Sequence, residues 1–257
     1  MRVDGTGLER IARKLDPPAT YGGVSWLHDG SMLLTVYRPT MANGSDNGLA
    51  LIEFVELDTH GEAARTLYAG INTERPDASS PNGSIVFEHE LGPFQSHPPI
   101  DIVTFDPNSL RSRTLTGGDG TYVQAAWSPD GTRIAYACAR PGQPLEICLM
   151  RSDGSEAHAI TRGTGSHQWP AWSPDGKHVA YFLEDRREGR VDASIGAVDV
   201  DGKNERLITG HTGVRRDETP SWSPAGDLIA FQTDRGENGF RIAVMNPDGS
   251  NVRLLTR

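Results

Sequence analysis

No run in this chain approaches the ~20 consecutive apolar residues that a bilayer-spanning helix requires, so membrane insertion by a helix is not expected. Cysteine is scarce: Cys138 and Cys148 are the only two, and they do not by themselves fix a redox compartment. Basic excess is absent as well. The formal net charge is −9 and the pI near 5.3, which argues against binding a phosphate backbone and hence against a nucleic-acid partner. The start of the chain, Met1 to Gly7, shows no apolar leader core. The expectation is therefore cytoplasmic if Met1 is the native start, and periplasmic if a leader has been removed. Catalytic signatures are missing too. There is no G-x-S-x-G elbow, no phosphate-binding glycine loop of either standard spacing, and no H-E-x-x-H pair among the eight histidines.

What the chain has in quantity is glycine (29) and proline (17), beside a hydrophobic fraction of only 36%. That balance suits many short elements joined by tight turns. A chain of this length still buries roughly 70% of its extended surface, so a substantial core is expected. The organising feature is an internal repeat. Trp127-Ser128-Pro129-Asp130-Gly131 recurs as Trp172-Ser173-Pro174-Asp175-Gly176 and as Trp222-Ser223-Pro224-Ala225-Gly226. Weaker copies stand at Trp26-Leu27-His28-Asp29-Gly30 and Ser79-Ser80-Pro81-Asn82-Gly83, and the five starts are 53, 48, 45 and 50 residues apart. A period of that size fits one propeller blade and is too long for a leucine-rich repeat.

Each copy continues alike. A short alternating strand follows the turn (Arg133 to Tyr136, His178 to Tyr181, Leu228 to Phe231), then a second strand such as Ile147 to Met150 or Ile242 to Met245. Next come an Asp-Gly turn (Asp153-Gly154, Asp201-Gly202, Asp248-Gly249) and an outer strand ending in Ile160-Thr161, Ile208-Thr209 or Leu255-Thr256. That makes four short antiparallel strands per unit, the make-up of a propeller blade. In Ser-Pro-Asp-Gly the serine offers an acceptor, proline presets φ, and glycine relaxes the exit of a type I turn. The tryptophan ahead of it is expected to fill the wedge between neighbouring blades. Cys148, Gly196 and Ala243 form a column of small residues, which suggests close sheet-on-sheet packing.

The run Pro170-Ala171-Trp172-Ser173-Pro174-Asp175-Gly176 resembles the signature of TolB-type propeller repeats, which also occur in the propellers of prolyl-oligopeptidase-like proteins. The resemblance is strong from about residue 120 to 257 and weaker from 21 to 119. It implies an all-β fold, a β-propeller of four-stranded antiparallel blades, with a six-bladed ring as the family expectation. The sequence itself shows five complete repeats. Residues 1–20 read as a partial repeat or closing hairpin, since Asp4 to Ile11 compares with Asp248 to Leu255, and residues 21–257 read as a single propeller domain.

Loops ahead of the inner strands are where a rigid frame presents binding residues. Aligned on the tryptophan column, those positions hold Tyr21, Glu74 and Arg75, Tyr122, His167 and Gln168, then Asp217 and Glu218, with Arg215 and Arg216 just before. These ten residues are the expected binding set at a channel mouth. The alternative is that they vary as solvated loop residues. Metal ligation is weakly suggested: Asp199-Val200-Asp201-Gly202 lacks the remaining ligands of a calcium loop. No cofactor is expected, with a channel-bound cation such as calcium near Asp217 or Glu218 left open. Cys138 and Cys148 fall on consecutive strands of one blade. Buried free thiols are the expectation, and a disulfide is open if the register brings them together.

Two functions fit. The first is a non-catalytic, monomeric platform for a protein or peptide partner; the resemblance implies a cell-envelope complex with a lipoprotein or peptide. The second is a propeller-type glycoside hydrolase or lyase using carboxylates such as Glu74 with Asp217 or Glu218. Propellers host both kinds.

Overall fold

The structure, a computed structural model, describes residues 20–26, 32–39, 50–57, 63–71, 73–79, 81–90, 100–118, 120–187, 190–210, 216–234 and 239–256. The reading of residues 1–20 as a partial repeat falls almost wholly outside them. Every regular element among the described residues is a β-strand, and none is a helix long and apolar enough to cross a membrane. The chain divides into two compact units, one within Arg10–Trp127 and the other within Ser128–Arg257.

The first unit opens with an antiparallel sheet of β1 (Thr20–Trp26), β2 (Met32–Pro39), β3 (Ala50–Leu57) and β4 (Ala63–Ile71), paired in that order. A second antiparallel set follows: β5 (Thr73–Ser79), β6 (Ile85–Glu90), β7 (Ile100–Asp106) and β8 (Arg111–Thr114). Strand β9 (Thr121–Trp127) touches β7 through one parallel pair, Ile100 with Thr121. The alternation of these strands turns Leu33, Phe54, Ile85, Phe87, Val103 and Phe105 into one buried cluster. Phe54 meets Phe87 edge to face at 5.4 Å, the arrangement that aligns one ring's positive edge with the other's negative face.

The second unit contains β10 (Arg133–Ala139), β11 (Glu146–Arg151) and β12 (His158–Ala159), then two full four-stranded sheets. One is β13 (Ser166–Trp172), β14 (His178–Arg187), β15 (Arg190–Asp199) and β16 (Arg206–Leu207). The other is β17 (Asp217–Trp222), β18 (Ile229–Thr233), β19 (Arg241–Met245) and β20 (Arg253–Leu254). These antiparallel four-stranded sheets are the blades the repeat calls for.

Local chemistry fixes the blades. In the first two Ser-Pro-Asp-Gly turns, Ser128 and Ser173 each donate a hydroxyl to the turn aspartate (Asp130 and Asp175) at 2.6 Å. The same hydroxyls accept the backbone N–H of Arg133 and His178, which closes the turn onto the next strand. The third turn has Ala225 where the others have aspartate. There Ser223 donates instead to Asp227, at 2.7 Å, so the same job is done from two residues further on. Trp127 and Trp172 are buried, and the Arg133 guanidinium lies 5.1 Å from the Trp172 ring, a cation–π contact between successive blades.

One expectation is extended and one corrected. Ala243 of the small-residue column packs in a cluster with Ile195 of the preceding sheet, and the column also follows the adjacent strand. Cys148, Gly196 and Ala243 stand directly opposite Tyr136, Tyr181 and Phe231 in register. Side chains of directly opposed residues sit ~5 Å apart, so a ring on one strand leaves room for little on the other. At Gly196 a Cβ would clash with the hydroxyl end of the Tyr181 ring. The cysteines are not free thiols: Cys138 and Cys148 form a disulfide, with Cα atoms 5.9 Å apart. The register explains it. Cys148 pairs with Tyr136 and Cys138 with Glu146, so the two cysteines are diagonal neighbours across the β10–β11 ladder, within bonding range.

Candidate functional site

The strands that start each blade share a defect. In β13 the register shifts between Gln168 and Ala171, and in β17 between Glu218 and Ser221. Trp169 (φ 54°) and Thr219 (φ 51°) sit in these bulges in the left-handed region; Gln124 of β9 does so at φ 59°. All three lie three residues before the tryptophan, where the first copy has Gly23. A β-branched residue such as Thr219 rarely adopts that conformation, and it costs of order 1–3 kcal/mol. Bulges of this kind re-aim side chains beside functional sites.

The residues leading into the bulges are the expected binding set. His167 and Asp217 are buried, Gln168 and Glu218 half-buried, Arg216 exposed, and Tyr122 half-buried on β9 in the first unit. The side chains of Tyr21, Glu74 and Arg75, and all of Arg215, lie outside the described residues. Arg216 Nε stands 2.8 Å from Glu218 Oε1 as an ion pair without hydrogen-bond alignment, and its guanidinium lies 5.8 Å from the Phe240 ring. Its backbone is held by Asp234, which accepts the Arg216 N–H at 2.8 Å.

His167 belongs to a second constellation that spacing alone does not reveal. It is 2% exposed and lies between two carboxylates. Nδ1 is 3.1 Å from Glu146 Oε2 and 3.2 Å from the Leu145 carbonyl, while Nε2 is 3.2 Å from Glu205 Oε1. Either tautomer therefore finds an acceptor for its N–H. Glu146 also accepts the Thr161 hydroxyl at 2.6 Å and the Gly163 N–H at 3.2 Å. Glu205 accepts the Tyr181 hydroxyl at 3.0 Å and the Arg162 N–H at 3.3 Å. Burial and, next, the Glu205 charge push the Tyr181 phenol well above its ordinary value, which keeps it protonated as a donor. The imidazole and phenol rings are 5.1 Å apart.

This network floors a cleft of about 240 Å³ in the second unit. Its walls are Leu183 and Leu207, and Arg162, Asp185 and Arg206 stand around it. Glu146 and Glu205 went unread in the sequence because they break the repeat instead of following it. Where Glu146 precedes Ile147, the later blades have Ser194 and Arg241. Where Glu205 precedes Arg206, the other blades have Ala157 and Val252. Departure from the repeat at a fixed phase is the feature that could have found them.

Each polar group of the cluster has a partner within the protein. Both nitrogens of His167 face carboxylates, and both cysteines are in the disulfide. Among the described residues no group of three or more His, Cys, Asp or Glu side chains is placed to hold a metal ion.

Comparison with known proteins adds the family. The sequence profile described as "TolB beta propeller domain" matches residues 93–257. The Tol-Pal system protein TolB of Gluconobacter oxydans is 59% identical over 39 residues, which is 15% of this chain and 8% of that protein's length. Among solved structures, the putative TolB from Agrobacterium tumefaciens superposes with a TM-score of 0.69 at 24% identity, covering 93% of this chain and 81% of that one. A Mycobacterium tuberculosis puromycin-hydrolyzing peptidase superposes with a TM-score of 0.70 at 16% identity, covering 93% and 38%. At these identities the structural likeness is one of fold.

Proposed function

The chain belongs to the TolB β-propeller domain family, and on that premise we propose that it is a non-catalytic platform that binds a protein or peptide partner. Fold likeness carries no activity, since a TolB and a peptidase both superpose on this chain. The observation that carries the reading is the repeated strained bulge. Trp169 and Thr219 hold the same costly backbone at the same place in successive blades, while the residues just ahead of them vary in size and charge. A fixed frame with variable side chains is how a repeat protein is fitted to a partner.

Five of the described carboxylates have structural partners within the fold. Asp130, Asp175 and Asp227 are used in turns, and Glu146 and Glu205 in clamping His167. The naming of a relative as a Tol-Pal system protein points to a partner that is itself a protein, in keeping with a lipoprotein or peptide of the cell envelope. The Cys138–Cys148 bond supports a compartment more oxidising than the cytosol.

The test is quantitative capture from a native bacterial envelope extract, comparing wild type with the variant Gln168→Ala/Arg216→Ala/Glu218→Ala. The expected result is a several-fold loss of a small number of specific binders, with an unchanged melting temperature. An identical capture profile from both proteins would sink the assignment to these residues.

A further inference from the structure

Resting on the reading of this chain as a protein- or peptide-binding platform, we propose that the cleft above His167 and Tyr181 is a pocket for one carboxylate-bearing residue of a peptide. Its size sets the scale of the ligand. At about 240 Å³ it is smaller than the ~300–1,000 Å³ typical of small-molecule and cofactor sites, and it suits a single side chain or chain terminus.

Charge sets the chemistry. The chain is acidic overall, and Arg162 and Arg206 both line this cleft. Among the described residues neither guanidinium is paired with a carboxylate. Among the described residues Arg206 donates to the Asn204 carbonyl, at 3.4 Å, and Arg162 donates through its backbone N–H to Glu205. A guanidinium's planar fork matches a carboxylate in two parallel hydrogen bonds.

The cleft also carries two acidic groups, Asp185 and Glu205, so its lining is charge-balanced and the ligand carboxylate has to be seated on the arginine side. The two oxygens of Glu205 are taken by Tyr181, His167 and the Arg162 N–H, and Asp185 is itself engaged. Leu183 and Leu207 supply apolar walls for the methylenes of an acidic side chain, and Leu207 is 53% exposed although strongly apolar. Gly165 packs closely against Leu183, and the Tyr181 hydroxyl donates to Glu205.

The experiment follows the Leu183 and Leu207 methyl resonances of the full chain during titration with small peptides. The probes are N-acetylated, C-amidated Ala-Ala-Glu-Ala-Ala, its Gln counterpart, a penta-alanine with a free carboxyl terminus, and galacturonate. The expected result is a saturable shift with the Glu peptide, at least five-fold weaker with the Gln peptide. That shift should vanish in Arg162→Ala/Arg206→Ala and survive in part in Arg162→Lys/Arg206→Lys. A response to penta-alanine as well would support a terminal carboxylate, and its lack a side-chain carboxylate.

Equal shifts with Glu and Gln, shifts that persist in the double Ala variant, or a response to galacturonate alone would each overturn the proposal. Envelope capture run on the same double variant separates the two readings. Capture that persists while the Glu peptide fails on wild type overturns the pocket and leaves the platform standing.

Discussion

The Thr161 hydroxyl accepts the Ile147 N–H at 2.8 Å and donates to Glu146 Oε2 at 2.6 Å, tying the end of one blade strand to the start of another fourteen residues earlier. The same tie recurs at the same separation between Thr116 and Ile102, Thr209 and Ile195, and Thr256 and Ile242, each at 2.9 Å. The Leu/Ile-Thr ending of the repeat is therefore a hydrogen-bond device as well as a strand terminus.

Removing the hydroxyl without changing the shape should expose its worth. Thr161→Val and Thr209→Val each leave a buried N–H without its acceptor, at a cost of ~1–3 kcal/mol. Urea unfolding should show a lowered midpoint at constant slope. Thr256→Val, where the bond is only part-buried, should cost less.

Gly196 should be intolerant of the smallest addition. Gly196→Ala drives a methyl into the Tyr181 ring and should cost ~1–3 kcal/mol, read as a lower melting temperature. Ala243 already carries a Cβ opposite Phe231, so the conflict is specific to Tyr181, whose hydroxyl is drawn to Glu205. Combining Gly196→Ala with Tyr181→Leu should recover part of the loss. Simple additivity of the two would show that the residues are uncoupled.

The third turn should be repairable. Asp227→Ala removes the acceptor of the Ser223 hydroxyl and should lower stability by roughly 0.5–1.5 kcal/mol. Adding Ala225→Asp restores the arrangement of the first two turns and should return most of it. No rescue in thermal melts would mean that position 225 cannot reach Ser223.

Reduction should weaken the β10–β11 hairpin. The bond closes a short loop, and a chain-entropy estimate gives ~3 kcal/mol for closure of that size. Untreated protein should take up no iodoacetamide, and Cys138→Ser/Cys148→Ser should melt at a lower temperature. Prompt alkylation of the native, unreduced protein would show that the thiols are free.

Acid should act through the first turn. The Ser128 hydroxyl, then the Thr132 N–H, hold the Asp130 carboxyl down at about 2. Because this value lies below the unfolded one of ~3.9, the ionised group contributes its stability above the unfolded value. That contribution is lost as pH falls through the folded one. Melting temperature against pH should therefore be flatter between about pH 4 and 2 in Asp130→Asn than in wild type.

The blades are legible in the order of residues along the chain. Tryptophan, Ser-Pro-Asp-Gly, alternating strand, Asp-Gly and Leu/Ile-Thr are all local chemistry within one period, and local chemistry repeats legibly. Pairing register and blade-to-blade contact are non-local, so they emerge only once the chain is folded. The strand register made the two cysteines diagonal neighbours and set Gly196 under Tyr181. Blade stacking brought Glu146 and Glu205, nearly sixty residues apart in the chain, to opposite sides of one imidazole. His167 was picked out in the sequence as a loop residue open to a partner. It became the buried centre of a network because two residues that break the repeat converge on it.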